Sequence, residues 1–370
     1  MANKSYTMQE IARALDGELV GDGSLVIKRV VHPSDFKDAH DVALAVDKSL
    51  LPILLQMKVQ AAIISRDILL EPGIVKASII VERPRLAMSK LTNLFANAPS
   101  VAPGIHPTAI IEPSAKIGAN VSIGAHSYIS EAAIIGDNSI LYPQIYVGPH
   151  ASIGKNALLY PGVKIGASVV IGDRVIIHFN SSIGADGFSF VTPKLGSVED
   201  AKASGSVGED NTNLELLRIA SLGNVIIGHD VEIGANSSID RGTIAATTIG
   251  NGTKIDNQVQ VGHNVQIGEN CMLCGHVGVA GSVAMGNRVV LGGATGVADH
   301  VKIGDDVIAM GMSGIAGNIA PRSVIGGIPA IPRQTMIENH FYFGRIKKFM
   351  KKIELFSTRI DTLEQNMKKD

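Results

Sequence analysis

From residue 105 onward, aliphatic residues recur at every sixth position with polar or small residues between them. Hexads open at 105, 111, 117, 123 and 129 and run without a slip to Ile183, fourteen units in all. Gly follows the opener at 118, 124, 136, 148, 154, 166, 172 and 184. A strict six-residue period predicts a parallel β-helix. Each hexad would form one flat side, with the aliphatic facing inward and a small fifth residue filling the corner, while glycine is expected to permit the bend. The phase breaks between Ser189 and Ala220, a polar stretch that must leave the coil as a long loop; such loops are often functional. Hexads return at Ile227, Ile233 and Ile239, shift by four residues around 241–248, and continue for twelve units from Ile249 to Ile315. At three hexads per turn this predicts about ten coils, a prism roughly 45–50 Å long at a strand spacing of ~4.8 Å.

Residues 1–100 carry no such repeat. Ile11 and Leu15 are spaced as in a short amphipathic helix over 8–15, ended by Asp16-Gly17. Strand patterns at 25–31, 42–46, 61–65 and 79–81 alternate with helical ones at 48–58 and 84–97, which predicts a small α/β domain. A Pro-rich joint at 98–104 separates it from the repeat domain, 101–332, with its excursion at 189–220. The stretch 326–332 ends the coil, and 333–370 reads as a helical extension. There Ile346, Phe349, Ile353, Phe356, Ile360, Leu363 and Met367 form a coiled-coil seam. So short a seam implies association, and its isoleucines favour a trimer. The coil ends need caps, which the flanking segments can supply.

Composition narrows the function classes. Forty glycines among 370 residues, with no Trp and no collagen triplet, fit a β-rich repeat. A net charge of −1 gives no field for nucleic acid. No apolar run is long enough for a transmembrane segment, and the N-terminus lacks a secretory plan, so a cytoplasmic protein is expected. Cys271 and Cys274 form a lone C-x-x-C without a second ligand pair; Cys271 falls at a fifth position and reads as core. No metal is expected, since the cysteines lack a second ligand pair and no two of the eleven histidines stand five apart.

Chemistry concentrates in 249–266, IGNGTKIDNQVQVGHNVQ, where Asp256, Asn257, His263 and Asn264 offer acid–base and hydrogen-bonding groups. His263 is third in its hexad and points outward, so it is not a core histidine. His229 occupies the same place in IIGHDVEIG and reads as surface.

The hexad prism resembles the left-handed parallel β-helix acyltransferases, which are typically homotrimers. More narrowly, IGADGFSF (183–190), IDRGT (239–243), IDNQVQVGHNVQIG (255–268) and GGIPA (326–330) are similar to motifs of the UDP-3-O-(3-hydroxyacyl)glucosamine N-acyltransferases of lipid A (lipopolysaccharide) synthesis. The resemblance implies transfer of a 3-hydroxyacyl chain from acyl carrier protein to the 2-amino group of a UDP-glucosamine already acylated at O-3. It implies His263 as general base, Asp256 as support for its imidazole, and the Gly281 N–H as donor to the thioester oxyanion. His300 would lie near substrate phosphate or the carrier arm, and Asn257 and Asn264 would line the groove. The acyl donor would be the 4′-phosphopantetheine-bound carrier protein, with no cofactor and no covalent intermediate, and sites would lie between neighbouring prisms of a homotrimer.

Elementary chemistry agrees with that assignment. A thioester is already activated, an attacking amine must lose a proton, and histidine titrates near neutral pH. A fixed donor at the oxyanion is the other large term. Gly281 lies eighteen residues after His263, one coil on, so the two should stack. Met310, Met312 and Gly314 come late in the prism, where they could bound a hydrocarbon groove. Arg345, Lys347, Lys348, Lys351 and Lys352 could receive an acidic carrier protein. One departure stands out: the family's uracil-gripping strand, F-x-x-N-P-K-Y, is matched by Ala43 to Ser49, with neither the aromatic nor the asparagine. The alternative reading is an acyl- or acetyltransferase acting on a different nucleotide amino sugar, with carrier protein or coenzyme A as donor.

Overall fold

The computed structural model describes residues 4–71, 73–97, 101–208, 215–326, 330 and 332–367. Contacts divide the chain into two units, Met1–Ser100 and Val101–Asp370.

The first unit is a five-stranded sheet. Ala77–Val81, Ala61–Ser65, Asp41–Ala45 and Arg29–Val31 run parallel, and Glu18–Gly21 is antiparallel at the edge. Helix α1 (Met8–Leu15) starts in a capping box: the Glu10 N–H donates to the Thr7 hydroxyl, and the Thr7 N–H donates to the Glu10 carboxylate. It stops at Asp16, in the left-handed region with φ 59°. α1 and α3 (Pro84–Phe95) bury Met8, Ile11, Leu15 and Leu91 with sheet residues Ile63 and Ile79. α2 (Leu51–Gln56) places Leu54 in a second cluster with Ala43, Ala45 and Ile64. The edge strand Glu18–Gly21 escapes the sequence reading because its residues alternate weakly and stay largely exposed. At the opposite edge of the sheet, Arg29 donates two hydrogen bonds of 2.8 Å to buried Asp41.

The second unit is the expected left-handed parallel β-helix, mainly β, with a C-terminal helical extension. Its hexads become two-residue strands stacked in three parallel sheets of ten, ten and nine. Within each uninterrupted run an opener sits on the opener eighteen residues earlier, as Ile129 does on Ile111 and Val147 on Ile129. The openers Leu141, Leu159 and Ile177 are wholly buried. Each such burial contributes about 1.5–3 kcal/mol, so the aliphatic stack holds the coil. Fifth-position hydroxyls buried beside it are satisfied: Ser139 donates to the Gly154 carbonyl and accepts from the Ala157 N–H.

The bend lies elsewhere than the glycine pattern suggests. The left-handed residue is the fourth of the hexad, such as Asn120, Asn138, Asn156 or Asn264, with φ between 55° and 60°, a conformation Asn tolerates better than most residues. The glycine after the opener answers to stacking instead. A Cβ on Gly136 would stand 2.5 Å from the Gly154 carbonyl carbon on the next coil.

Two interruptions leave the openers paired, with a register shift only where Ala185 meets Asp240. The first departs after Ser182–Ala185 and returns at Val225–Ile227, which pairs with Ile171 as though nothing intervened. It is not the plain loop expected. Phe190–Val191 pairs antiparallel with Leu217–Arg218, and a helix, α4 (Ser197–Ser204), lies between them, ended by Gly205 at φ 74°; 209–214 fall outside the described residues. At the second, 241–248, Arg241 donates to the carbonyls of Gly223 (2.8 Å) and Ala167 (2.9 Å), tying the bulge to two coils. The helices α5 (Arg333–Phe343) and α6 (Ile346–Met367) follow the coil. The seam residues Ile346 to Leu363 are all about half exposed. Within the terminating stretch, 327–329 and 331 fall outside the described residues.

Candidate active site

His263 follows the strand Gln260–Val261 at a corner of the prism, and Gly281 occupies the same corner one coil on. The Ser282 N–H donates to the His263 carbonyl at 2.9 Å, which fixes the stacking. The imidazole lies directly over the glycine. A Cβ on Gly281 would be 2.7 Å from His263 Cε1 and 2.8 Å from Nε2, so only glycine leaves that space open. Gly187, where the chain departs on its first excursion, approaches from the other side: a Cβ there would be 2.7 Å from the His263 Cβ. These residues line a cavity of about 480 Å³ with Asp186, Phe188, Arg218, Asp240 and Gln260.

The tautomer of His263 follows from its neighbours. The Thr243 backbone N–H donates to Asn264 Oδ1 at 3.0 Å, which assigns that atom as the amide oxygen. The same oxygen lies 3.0 Å from His263 Nδ1, so Nδ1 carries the proton and donates. Nε2, toward Gly281, is left with its lone pair, the arrangement a general base requires. Thr243 Oγ1 stands 3.5 Å from Nδ1. The bulge at 241–248 therefore brings Thr243 against Asn264, the residue after His263, behind the imidazole. Asn264 belongs to this support rather than to the cavity wall, where the sequence reading put it.

Within one chain the carboxylate beside His263 is Asp240, not Asp256. Asp240 is 7% exposed and accepts from Gln260 Nε2 at 3.0 Å. Burial pushes its pKa up, against the Gln260 hydrogen bond and the nearby His263, which pull it down. Asp256 and Asn257 follow a strand of a different sheet and line a second cavity of about 480 Å³, with His178, Glu232, Lys254 and Cys274. Asn257 Oδ1 accepts from the Ala235 N–H there, and His178 Nε2 meets Glu232 at 2.8 Å. A single chain thus does not bring Asp256 to His263. His300 stands at the same corner as His263 but further along: its N–H donates to the Gly281 carbonyl at 3.1 Å. Two coils separate it from His263, about 10 Å along the axis.

Around the cavity mouth, Phe188 is 87% exposed and packs edge-on against Phe190, whose ring carries the Arg218 guanidinium 4.8 Å from its centre. Below Gln260 the outward positions of the same face are all glycine. Gly278, Gly296 and Gly314 lie in register, and a Cβ on any of them would meet nothing within 4 Å. Cys271 is buried and unpaired, and its thiol is pushed up by burial. Among the described residues no group of three or more His, Cys, Asp or Glu is placed to hold a metal ion, and no helix is long and apolar enough to cross a membrane.

Sequence reasoning passed over Asp240, Gln260, Thr243 and Gly187. A signal for the first was present. Asp240 takes the place after an opener that glycine often fills, inside IDRGT, and an acidic residue there, as at Asp256, calls for a reason.

Comparison with known proteins places the chain. The profile described as "Bacterial transferase hexapeptide (six repeats)" matches 150–185 and 246–281. "Hexapeptide repeat of succinyl-transferase" matches 115–142 and 224–263. The UDP-3-O-acylglucosamine N-acyltransferase of Paracoccus denitrificans is 47% identical over 278 residues, 75% of this chain and 76% of the relative. That of Coxiella burnetii is 34% identical over 75% of each chain. Among solved structures, the Arabidopsis UDP-N-acetylglucosamine acyltransferase superposes with a TM-score of 0.51 at 21% identity, covering 66% of this chain and 79% of that one, which supports the fold. Identity at this level, over three-quarters of both partners, means that the chain belongs to the UDP-3-O-acylglucosamine N-acyltransferase family.

Proposed function

We propose that this protein transfers a 3-hydroxyacyl chain from acyl carrier protein to the 2-amino group of UDP-3-O-acylglucosamine, a step of lipid A synthesis. The observation that carries the mechanism is the stacking of His263 Nε2 over Gly281, with the proton held on Nδ1. The amine lone pair attacks the thioester carbonyl carbon, and the carbonyl π pair moves to oxygen, which the Gly281 N–H stabilises. His263 Nε2 takes a proton from the attacking nitrogen. The intermediate collapses as C=O reforms and C–S breaks, and the departing sulfur takes that proton from the imidazolium. Asp240, buried in the same cavity, stabilises the imidazolium in between. No covalent acyl-enzyme is needed.

The glycine stripe at 278, 296 and 314 gives the acyl chain a smooth path along one face, with exposed Met310 and Met312 at the corner before Gly314. The protein acts as a homotrimer. Support comes from Ile134, Val170 and Ile226, apolar residues exposed on another face, and from the uncovered seam of α6. In that assembly the second cavity faces a neighbouring copy's His263, and Asp256, Asn257 and His300 serve the composite site. The cations opening α6 suit an acidic carrier protein.

The test is mass-spectrometric detection of N-acylated product from purified protein, UDP-3-O-acylglucosamine and 3-hydroxyacyl carrier proteins of several lengths. Coenzyme A thioesters and other nucleotide amino sugars run in parallel. Product only from coenzyme A or only from a different acceptor would overturn the reading, and a different acceptor would trace to 43–49, which offers neither aromatic nor asparagine.

A further inference from the structure

The cavity beside His263 has a single permanent cation in its lining. Arg218 joins the carboxylates of Asp186 and Asp240 there, and among the described residues no lysine or second arginine does. Arg218 stands on the returning strand of the first excursion, opposite Phe190 in the hairpin register. Its guanidinium lies 4.8 Å from the centre of the Phe190 ring, so the hairpin holds it in place. No protein group takes up its N–H donors. Among the described residues the guanidinium makes no hydrogen bond, and its nearest carboxylate, Asp186, is 4.0 Å away. Three other arginines of the coil are satisfied: Arg174 and Arg288 each donate twice to one aspartate, and Arg241 donates to two carbonyls. The Arg322 side chain is without a hydrogen bond as well, but it lines neither this cavity nor the one beside Asp256. Lys254, the cation of that second cavity, is turned to the Asp230 carbonyl at 2.6 Å.

We propose that Arg218 binds the β-phosphate of the acceptor's nucleoside diphosphate and so holds the sugar amine within reach of His263 Nε2. The proposal rests on acyl transfer to a nucleotide amino sugar, as argued above. In such a sugar the diphosphate hangs on C1 and the amine on the adjacent C2. An amine at Nε2 therefore brings the β-phosphate into the cavity that Arg218 lines. The phosphate of the donor's pantetheine arm lies at the opposite end of that arm from the thioester, away from the reacting atoms. Without Arg218 the diphosphate would enter a cavity whose only charged lining groups are the carboxylates of Asp186 and Asp240, and these repel it. A planar guanidinium with open donors can instead pair with two phosphate oxygens at once. The first excursion thus gains a binding purpose: its outgoing strand supplies the ring and its returning strand the cation.

The experiment measures binding of UDP and UMP to the full-length protein by titration calorimetry, beside steady-state N-acylation, in wild type, Arg218→Met and Asp186→Asn. Methionine keeps an unbranched apolar stem against Phe190 and removes the charge. Arg218→Met should weaken UDP, and raise KM for UDP-3-O-acylglucosamine, by roughly tenfold, the loss of a charge-assisted hydrogen bond at a half-exposed site. Affinity for UMP, which lacks the β-phosphate, and KM for the acyl carrier protein should not change. Asp186→Asn removes the carboxylate beside the guanidinium and should tighten UDP by roughly two- to fivefold, a gain that no folding defect imitates. Unchanged UDP affinity in Arg218→Met overturns the proposal, as does weaker UDP binding in Asp186→Asn. Equal losses for UMP and UDP overturn the β-phosphate assignment, and a KM change confined to the acyl carrier protein moves Arg218 to the donor and overturns it too. A wild type that binds UDP through Arg218 yet forms no N-acylated product would instead refute the proposed reaction and leave the phosphate contact standing.

Discussion

Replacing Gly281 by Ala tests the stacked geometry with a single methyl group. The new Cβ would stand 2.7 Å from His263 Cε1 and 2.8 Å from Nε2, about 0.7 Å inside the ~3.5 Å at which such atoms rest in contact. The atoms it meets belong to a side chain, and the φ of Gly281 is not left-handed, so the backbone need not move. The imidazole must therefore retreat from the position where it reaches the amine. A misplacement near 1 Å costs about a hundredfold in rate, or about 2.7 kcal/mol of transition-state stabilisation at ~1.36 kcal/mol per tenfold. The alanine retains the backbone N–H, so the loss would report the base and not the oxyanion donor. Glycine-to-alanine exchange at a permitted φ adds about 0.4–1 kcal/mol of stability, so Tm should hold or rise. The assay is kcat/KM for N-acylation beside a thermal melt. Gly317→Ala, where a Cβ meets nothing within 4 Å, is the control. A Gly281→Ala enzyme as active as wild type would refute the stacked arrangement. A large fall in Tm would refute the claim that only the side chain yields.

The other predictions concern stability and chain length. Asp240→Asn should raise Tm at neutral pH by about 2–4 °C, the shift that ~1 kcal/mol produces in a domain of this size, while lowering turnover. Burial raises the folded pKa of Asp240, so its penalty is absent below the unfolded value of about 3.9 and grows as pH rises through the folded one. The two melting curves should accordingly merge in acid, and equal Tm at neutral pH would sink the argument. Asp41→Asn should cost about 2–3 kcal/mol at neutral pH, measured by urea unfolding, because Asp41 is 1% exposed and holds the Arg29 guanidinium and two backbone N–H groups. The Arg29 hydrogen bond depresses its pKa. Its stabilisation is therefore complete above about pH 3.9 and lost as pH falls through the folded value, and a pH-independent difference would contradict this. Gly296→Leu places a side chain in open space on the glycine stripe. It should shift donor preference toward shorter acyl chains, and an unchanged chain-length profile would move the acyl path off this face.

The prism was legible because one coil repeats in sequence: every buried opener, from Ile123 to Ile315, stands at its six-residue place. What the period hid was the division of labour within the hexad. Glycines after the openers marked the spots where backbones touch, whereas the left-handed turn fell to the fourth position, often an Asn or His that looks in sequence like a functional polar group. His300 is one of these turn residues, at φ 61°. The pairing of His263 with Gly281 followed from the eighteen-residue coil. The support behind His263 did not, since Thr243 and Asn264 meet only because four extra residues bulge at 241–248. Asp240 was visible as an acidic residue after an opener, but its nearness to His263 was not: it meets that site across neighbouring coils, beside Gln260, a contact no local spacing encodes. The resemblance pointed to Asp256, which a single chain keeps on another corner.

The most direct test of the account is single-turnover N-acylation by the His263→Ala protein, with acyl carrier protein and UDP-3-O-acylglucosamine both saturating. General-base catalysis by Nε2 predicts a rate about 10²–10⁴ below wild type, with substrate binding and Tm retained. A rate within the wild-type range, from a protein that binds both substrates, would contradict the central claim and remove His263 from the proton transfer.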